Sequence, residues 1–182
     1  EFAEELTWWT MAEHQVLSEE LLLEYQDKVN WNLVAIHQTL SEDFMREFAD
    51  VLNWNLLTKH QVLSEDFIIE FQEKVCWHTV ARYQKLSEDF MRKCKRKLNW
   101  NIVSVFQTLT EDLIEDLRYF VNWKFVSQYQ VLSESFIIKY HYLVDWDIVQ
   151  HHQKLSEDFI TLHCDKLNWD ILSRYQVLSE DF

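Results

Sequence analysis

The sequence predicts an all-α fold, an α-solenoid of about eight 23-residue helix-turn-helix repeats, and three observations carry that prediction. Tryptophan recurs every 23 residues, at Trp8, Trp31, Trp54, Trp77, Trp100, Trp123, Trp146 and Trp169, which is the signature of a stacked array rather than of a single closed core. Two helix-start signals alternate through each repeat, one at a Ser and one at an Asn. The 182 residues contain no Gly and no Pro, where average usage would supply about a dozen and about nine. Hairpins and β-solenoids rely on those residues for positive φ or fixed kinks, whereas joins between capped helices do not need them.

Counting each Trp as position one, the first element is a helix of roughly eight residues opened by the residue before the Trp. Asn30, Asn53, Asn99, Asn122, Asp145 and Asn168 stand there, with Thr7 and Cys76 as the exceptions. An Asn or Asp side chain accepts from the open amides of the first turn. Positions three and four are apolar, and position five stays short (Ala12, Ala35, Thr58, Ala81, Ser104, Ser127, Ser173) except at Gln150, which predicts close helix approach. Position eight is always Gln, from Gln15 to Gln176. At the end of a helix with no Gly to follow, its amide is expected to satisfy orphan backbone groups.

The second element is a helix of roughly ten residues, opened by Ser at position eleven (Thr110 in one repeat) and followed each time by Glu, usually with a second acid. The hydroxyl caps the helix and the carboxylates complement its positive end. Both caps are flanked by hydrophobic staples, Leu63 with Ile68 and Val29 with Val34. The expected core is the Trp series, positions three and four, Leu at ten, and positions 14, 15, 18 and 22. Residues 1–182 read as one α-solenoid domain. The chain opens mid-helix at Glu1-Phe2 without Met and stops three residues past Ser179, so a piece of a longer array, a partly resolved chain, or ends that dock on partners are all open.

Net charge is −14, which disfavours general nucleic-acid binding and anionic membranes. Seven of the seventeen basic residues lie between Arg82 and Lys97, as a solvated face or as a docking patch in which Arg92, Lys93, Lys95 and Arg96 would meet an acidic partner or phosphate. Tyr119, Phe120, Tyr142 and Leu143 stand in adjacent repeats where others carry Asp, Glu or Lys, and are expected to form an apolar contact patch. No apolar run reaches the roughly 18 residues of a membrane span. Cys76, Cys94 and Cys164 occupy different repeat positions, as incidental thiols in a reducing compartment would.

His14, His37, His60 and His152 share position seven with Tyr83, Phe106, Tyr129 and Tyr175, so that site selects a flat ring rather than a ligand. The densest cluster of ligand types, His151, His152, His163, Cys164 and Asp165, matches no zinc spacing, and neither a metal nor a cofactor is expected. Catalysis finds no support either, since the acidic pairs are copied in every repeat instead of converging once, and a phosphate-cradling loop needs the glycine this chain lacks.

Stretches such as Leu63-Ser64-Glu65-Asp66-Phe67-Ile68 and Trp169-Asp170-Ile171-Leu172-Ser173-Arg174-Tyr175-Gln176 resemble the short tandem repeats of uncharacterised proteins of giant DNA viruses of protists, over essentially the whole chain. The resemblance implies a viral origin and a binding or assembly role, with no catalytic residues to carry over. Two functions follow as expectations. One is a non-enzymatic protein–protein interaction scaffold that reads a protein partner through positions 2, 6, 9, 16, 17, 19 and 20. The other is a structural component of a viral particle or other large assembly, built by self-association.

Overall fold

In a computed structural model the chain is all-helical, with fifteen α-helices, one short 3-10 turn and no strand among the described residues. The structure describes residues 2–180 and 182, with side chains from residue 8 onward. Two compact units are present, Glu1–Leu86 and Ser87–Phe182, each a run of repeats.

The first unit contains α1 (Phe2–His14), α2 (Glu19–Glu24), α3 (Trp31–His37), α4 (Glu42–Glu47), α5 (Trp54–His60), α6 (Glu65–Glu70) and α7 (Trp77–Tyr83). The odd-numbered, Trp-headed helices pack on one another in sequence, α1 on α3, α3 on α5 and α5 on α7. In the second unit α8 (Glu88–Lys93), α10 (Glu111–Asp116), α12 (Glu134–Lys139) and α14 (Glu157–Leu162) alternate with α9 (Trp100–Phe106), α11 (Trp123–Tyr129), α13 (Trp146–His152) and α15 (Trp169–Tyr175). There too the Trp-headed helices stack in order, from α9 to α15.

The caps form as expected. Asn53 accepts from the amides of Asn55 and Leu56, and Ser64 accepts from Phe67 N at 3.1 Å. Cys76 makes no side-chain cap, yet α7 still begins at Trp77, flanked by Val75 and Val80, both buried where the staple pattern places apolar residues. The Ser-capped helices are shorter than the ten residues expected. Each runs six, because the residue at position 18 leaves the helical region, as at Phe48 with φ −100° and ψ 19°. The remaining residues form a hydrogen-bonded turn, with Val51 N and Leu52 N both donating to Phe48 O. No described residue has positive φ, which is why the chain manages without glycine.

Positions 4, 10, 14, 15, 18 and 22 supply most of the core as expected, for instance Val34, Leu40, Phe44, Met45, Phe48 and Leu52, and the short residues of position five, such as Ala35, are buried with them. Position three does not: Leu33, Leu56, Ile102, Phe125 and Ile148 are half-buried, on the outer shoulder of the Trp-headed helix. The Trp series also departs from the expected core. Trp100 is buried, most of the others are half-buried and Trp169 is 52% exposed. Each indole lies over rings of its own repeat, as Trp54 does 4.7 Å from Phe71, within the range of favourable aromatic pairs. In Trp54, Trp77, Trp100, Trp123 and Trp146 the N–H donates to a carbonyl five residues back, as Trp54 Nε1 does to Ala49 O at 2.8 Å. The indole therefore pins the turn it follows instead of filling the centre.

Candidate interaction surface

The polar groups that recur in every repeat are used internally. Gln61 accepts from Leu40 N (3.1 Å) and donates through Nε2 to Ala35 O (2.9 Å) and Gln38 O (2.6 Å), all in the preceding repeat. Gln38 and Gln84 repeat this pattern in the first unit, and Gln130, Gln153 and Gln176 in the second. The Gln thus does satisfy orphan backbone groups, but those of its neighbour rather than of its own helix end. Most of these side chains are buried, so the three bonds form in a poorly solvated site and fix the register of one repeat on the next.

The Glu after each cap Ser makes a second clasp. Glu134 accepts from Ser156 N at 2.5 Å and from Ser156 Oγ at 3.0 Å, while Ser156 Oγ itself accepts from Phe159 N at 3.1 Å. Glu19, Glu111 and Glu157 hold the following Ser in the same way, while Glu42 accepts from Ser64 N and Glu88 from Thr110 Oγ1. A third link uses position five: Ser104 Oγ and Ser127 Oγ accept from the N–H groups of Asn122 and Asp145, and Gln150 Oε1 from Asn168 N. That explains why Gln150, the one long side chain in the series, is fully buried there.

What remains for recognition lies outside these clasps. The side chain at position 20 is acidic in Asp27, Asp50, Glu73 and Asp165, but Arg96, Tyr119 and Tyr142 occupy it in three consecutive repeats, all within the second unit. Tyr119 is 85% and Tyr142 68% exposed. Phe120 is only marginally exposed, 6.2 Å from the Trp100 ring, and Leu143 is half-buried, so the apolar contact reduces mainly to the two tyrosines.

The two groups of candidate residues meet. Lys95 Nζ lies 5.3 Å from the Phe120 ring centroid, and the Arg118 guanidinium 4.5 Å from that of Tyr119. The first of these cation–π contacts joins successive turns, and the second lies within one turn. Arg92 is committed elsewhere, to Glu88, Asp89 and Asp116, and its guanidinium is held further toward the charged form, first by the Asp116 bond. No ion pair engages Lys93, Lys95 or Arg96 among the described residues, whereas turn lysines of other repeats are answered by acids, Lys74 by Asp50 and Lys166 by Asp165. Beside this edge the Glu115 carboxyl is held below its ordinary range, first by its bond from Lys139 and then by Tyr140.

Little else in the molecule has the shape of a site. A shallow cavity of about 250 Å³ is lined by Glu111, Asp112, Glu115, Ser135, Phe136 and Lys139, of which Glu111, Glu115, Ser135 and Lys139 already engage one another or a neighbouring cap. His163 lies tilted against Phe159 at 4.7 Å and His151 against Tyr175 at 4.4 Å, and no three His, Cys, Asp or Glu side chains converge on a metal position among the described residues. The position-seven rings are exposed, Tyr83, Phe106, Tyr129 and Tyr175 each to about half. The sequence had marked them only as a preference for flat rings. Cys94 is buried, Cys76 half-buried and Cys164 exposed, all as free thiols. No helix among the described residues is long and apolar enough to cross a membrane. No family model matches this chain, and no curated protein or solved structure does so either.

Proposed function

We propose that this chain is a non-enzymatic scaffold for protein–protein interaction, built from tandem helical repeats and displaying a partner-binding edge on its second unit. One observation carries the reading: the acid that four other repeats place at position 20 is replaced by Arg96, Tyr119 and Tyr142 in consecutive repeats, so that exposed cationic and aromatic side chains stand where Asp50 instead pairs with Lys74 of the next repeat. Exposed aromatic side chains with neighbouring Arg and Lys are the composition of binding hot spots. The buried Gln amides and the first Glu after the cap favour a stacking role over chemistry, because Gln61 and Glu134, for example, are spent on the neighbouring repeat. We place the protein in a reducing compartment, on the strength of three thiols without a shared repeat position, and the resemblance to giant-virus repeat proteins favours a cytoplasmic or virion-associated setting.

Native mass spectrometry of the purified protein and its co-purifying material tests this. A defined complex with one foreign protein, lost on Tyr119→Asp with Tyr142→Asp while far-UV circular dichroism is unchanged, is the expected result. Self-assembly into large particles that survives the double substitution would refute the scaffold in favour of a structural component.

A further inference from the structure

The cationic and aromatic residues of the second unit form one edge with a polarity, and that polarity specifies a ligand. We propose that this edge docks an extended peptide in which an acidic pair precedes an apolar residue; the inference rests on the scaffold reading above. At one end stand Lys93, Lys95 and Arg96, with no ion pair among the described residues. Next comes the turn carrying Tyr119, its ring backed by Arg118 at 4.5 Å and tied to the first turn through Lys95 over Phe120. Last comes Tyr142, 68% exposed and edge-on to the His141 ring at 5.5 Å. Positive charge is thus concentrated at one end and apolar surface at the other.

Charge complementarity selects the occupant. A nucleic-acid strand presents one phosphate per nucleotide and needs cations along its whole track. Here cations thin out after the first turn, the flank carries Glu115 and Asp116, and the unit as a whole has fifteen acidic against eleven basic residues. An acidic peptide segment needs cations only where its acids lie. Stacked helices step by roughly 8 to 10 Å and an extended chain rises about 3.3 Å per residue, so one repeat spans about three ligand residues. The matching ligand carries two adjacent acids, an apolar or aromatic residue about three positions on, and a second about six positions on.

The test is fluorescence anisotropy of the full chain with a labelled peptide holding two glutamates, a tryptophan three residues later and a leucine six residues later, beside a scrambled peptide of the same composition and a labelled oligothymidylate. Specific binding of the ordered peptide that weakens with salt is expected. Lys95→Glu with Arg96→Glu should weaken it about tenfold or more and Tyr119→Ala with Tyr142→Ala about fivefold, while Lys124→Glu with Lys154→Glu, an equal charge change elsewhere on the same unit, should stay within about twofold. Circular dichroism confirms that the exposed substitutions leave the fold in place. No binding at millimolar peptide, equal binding of the scrambled peptide, equal loss in both charge pairs, or tighter binding of the oligonucleotide would each overturn the proposal. A stoichiometric protein partner indifferent to all of these substitutions would remove this edge and leave the scaffold reading standing; the absence of any protein partner would remove both.

Discussion

Gln130→Ala is the sharpest probe of how the repeats hold together. The side chain is 6% exposed and makes three bonds to the preceding repeat, accepting from Leu109 N at 2.8 Å and donating to Ser104 O and Gln107 O, each at 2.9 Å. A neutral hydrogen bond contributes about 1 kcal/mol net, so the three together are worth about 3 kcal/mol, and stranding the buried backbone partners raises the loss toward about 5 kcal/mol. Guanidinium unfolding followed by tryptophan fluorescence reads the total, and amide exchange at Leu109 reads the site itself. A loss below about 1 kcal/mol, or unchanged protection of the Leu109 amide, would refute the assignment of the Gln ladder as the register-setting clasp. Gln130→Glu separates electrostatics from shape, since it keeps the acceptor but turns an oxygen toward two carbonyls. The folded state then raises that carboxyl's pKa above its unfolded value near 4.3, so the added penalty is absent below that pH and grows with rising pH by about 1.4 kcal/mol per unit until the folded pKa is passed.

Four further outcomes follow from the same geometry. Ser156→Asp should be more destabilising than Ser156→Ala, although Asp and Ser cap isolated helices about equally well, because the new carboxylate faces Glu134; thermal melts that rank Ala as the worse variant would contradict the clasp. Ala35→Leu, at a fully buried helix crossing, should cost about 1–3 kcal/mol or prevent folding, while Val131→Lys, at a position 91% exposed, should stay within about 0.5 kcal/mol in the same chemical denaturation assay. The Glu115 carboxyl is held low by Lys139, so its contribution is present above the ordinary Glu pKa and lost as pH falls through the depressed value. Glu115→Gln should therefore lower stability at neutral pH by an amount that vanishes in acid, and parallel stability curves across pH would count against the pair.

Much of this architecture is legible in the sequence because its causes are local. A Ser followed by two acids, or an Asn before a Trp, opens a helix within four residues of itself, and the caps at Ser64 and Asn53 are where those patterns place them. The short side chains at position five also announce close approach without any tertiary knowledge. The parts that escape are those whose partners lie about one period away. Gln61 reaches back to Ala35, and Glu134 forward to Ser156, and nothing near either residue names the group it meets. Invariance of Gln in an array without glycine was the available signal, and it identifies a structural duty without saying whose backbone is served. The Trp series misleads for a related reason. Hydrophobicity places an indole inside, but its N–H requires a partner, and the carbonyl five residues back draws the ring to the rim.

The same accounting indicates where function can reside. Within each unit the Gln amide, the Glu–Ser clasp and the stacked Trp-headed helices join neighbouring repeats, so the repeated positions are constrained by their neighbours rather than by a ligand. A change at one of them is felt at a buried interface, while at position 20 it is felt at most by an exposed ion pair such as Asp50 with Lys74, and otherwise by solvent or a partner. Three consecutive departures from acid at that position lower the negative charge and add exposed aromatic area together, both of which reduce solubility unless something covers them. The second unit bears this change while the first keeps its acids at position 20 and carries sixteen acidic residues against six basic, so the units differ in surface chemistry although they share a backbone plan. That asymmetry gives a last prediction. Exchanging Arg96, Tyr119 and Tyr142 for Asp should leave the melting transition nearly unchanged and abolish association of the second unit with its partner, whereas introducing Arg or Tyr at Asp27, Asp50 and Glu73 of a chain so disabled should restore binding in part. Sedimentation with the partner reads both, and loss of stability in the first variant would show that position 20 serves the stack after all.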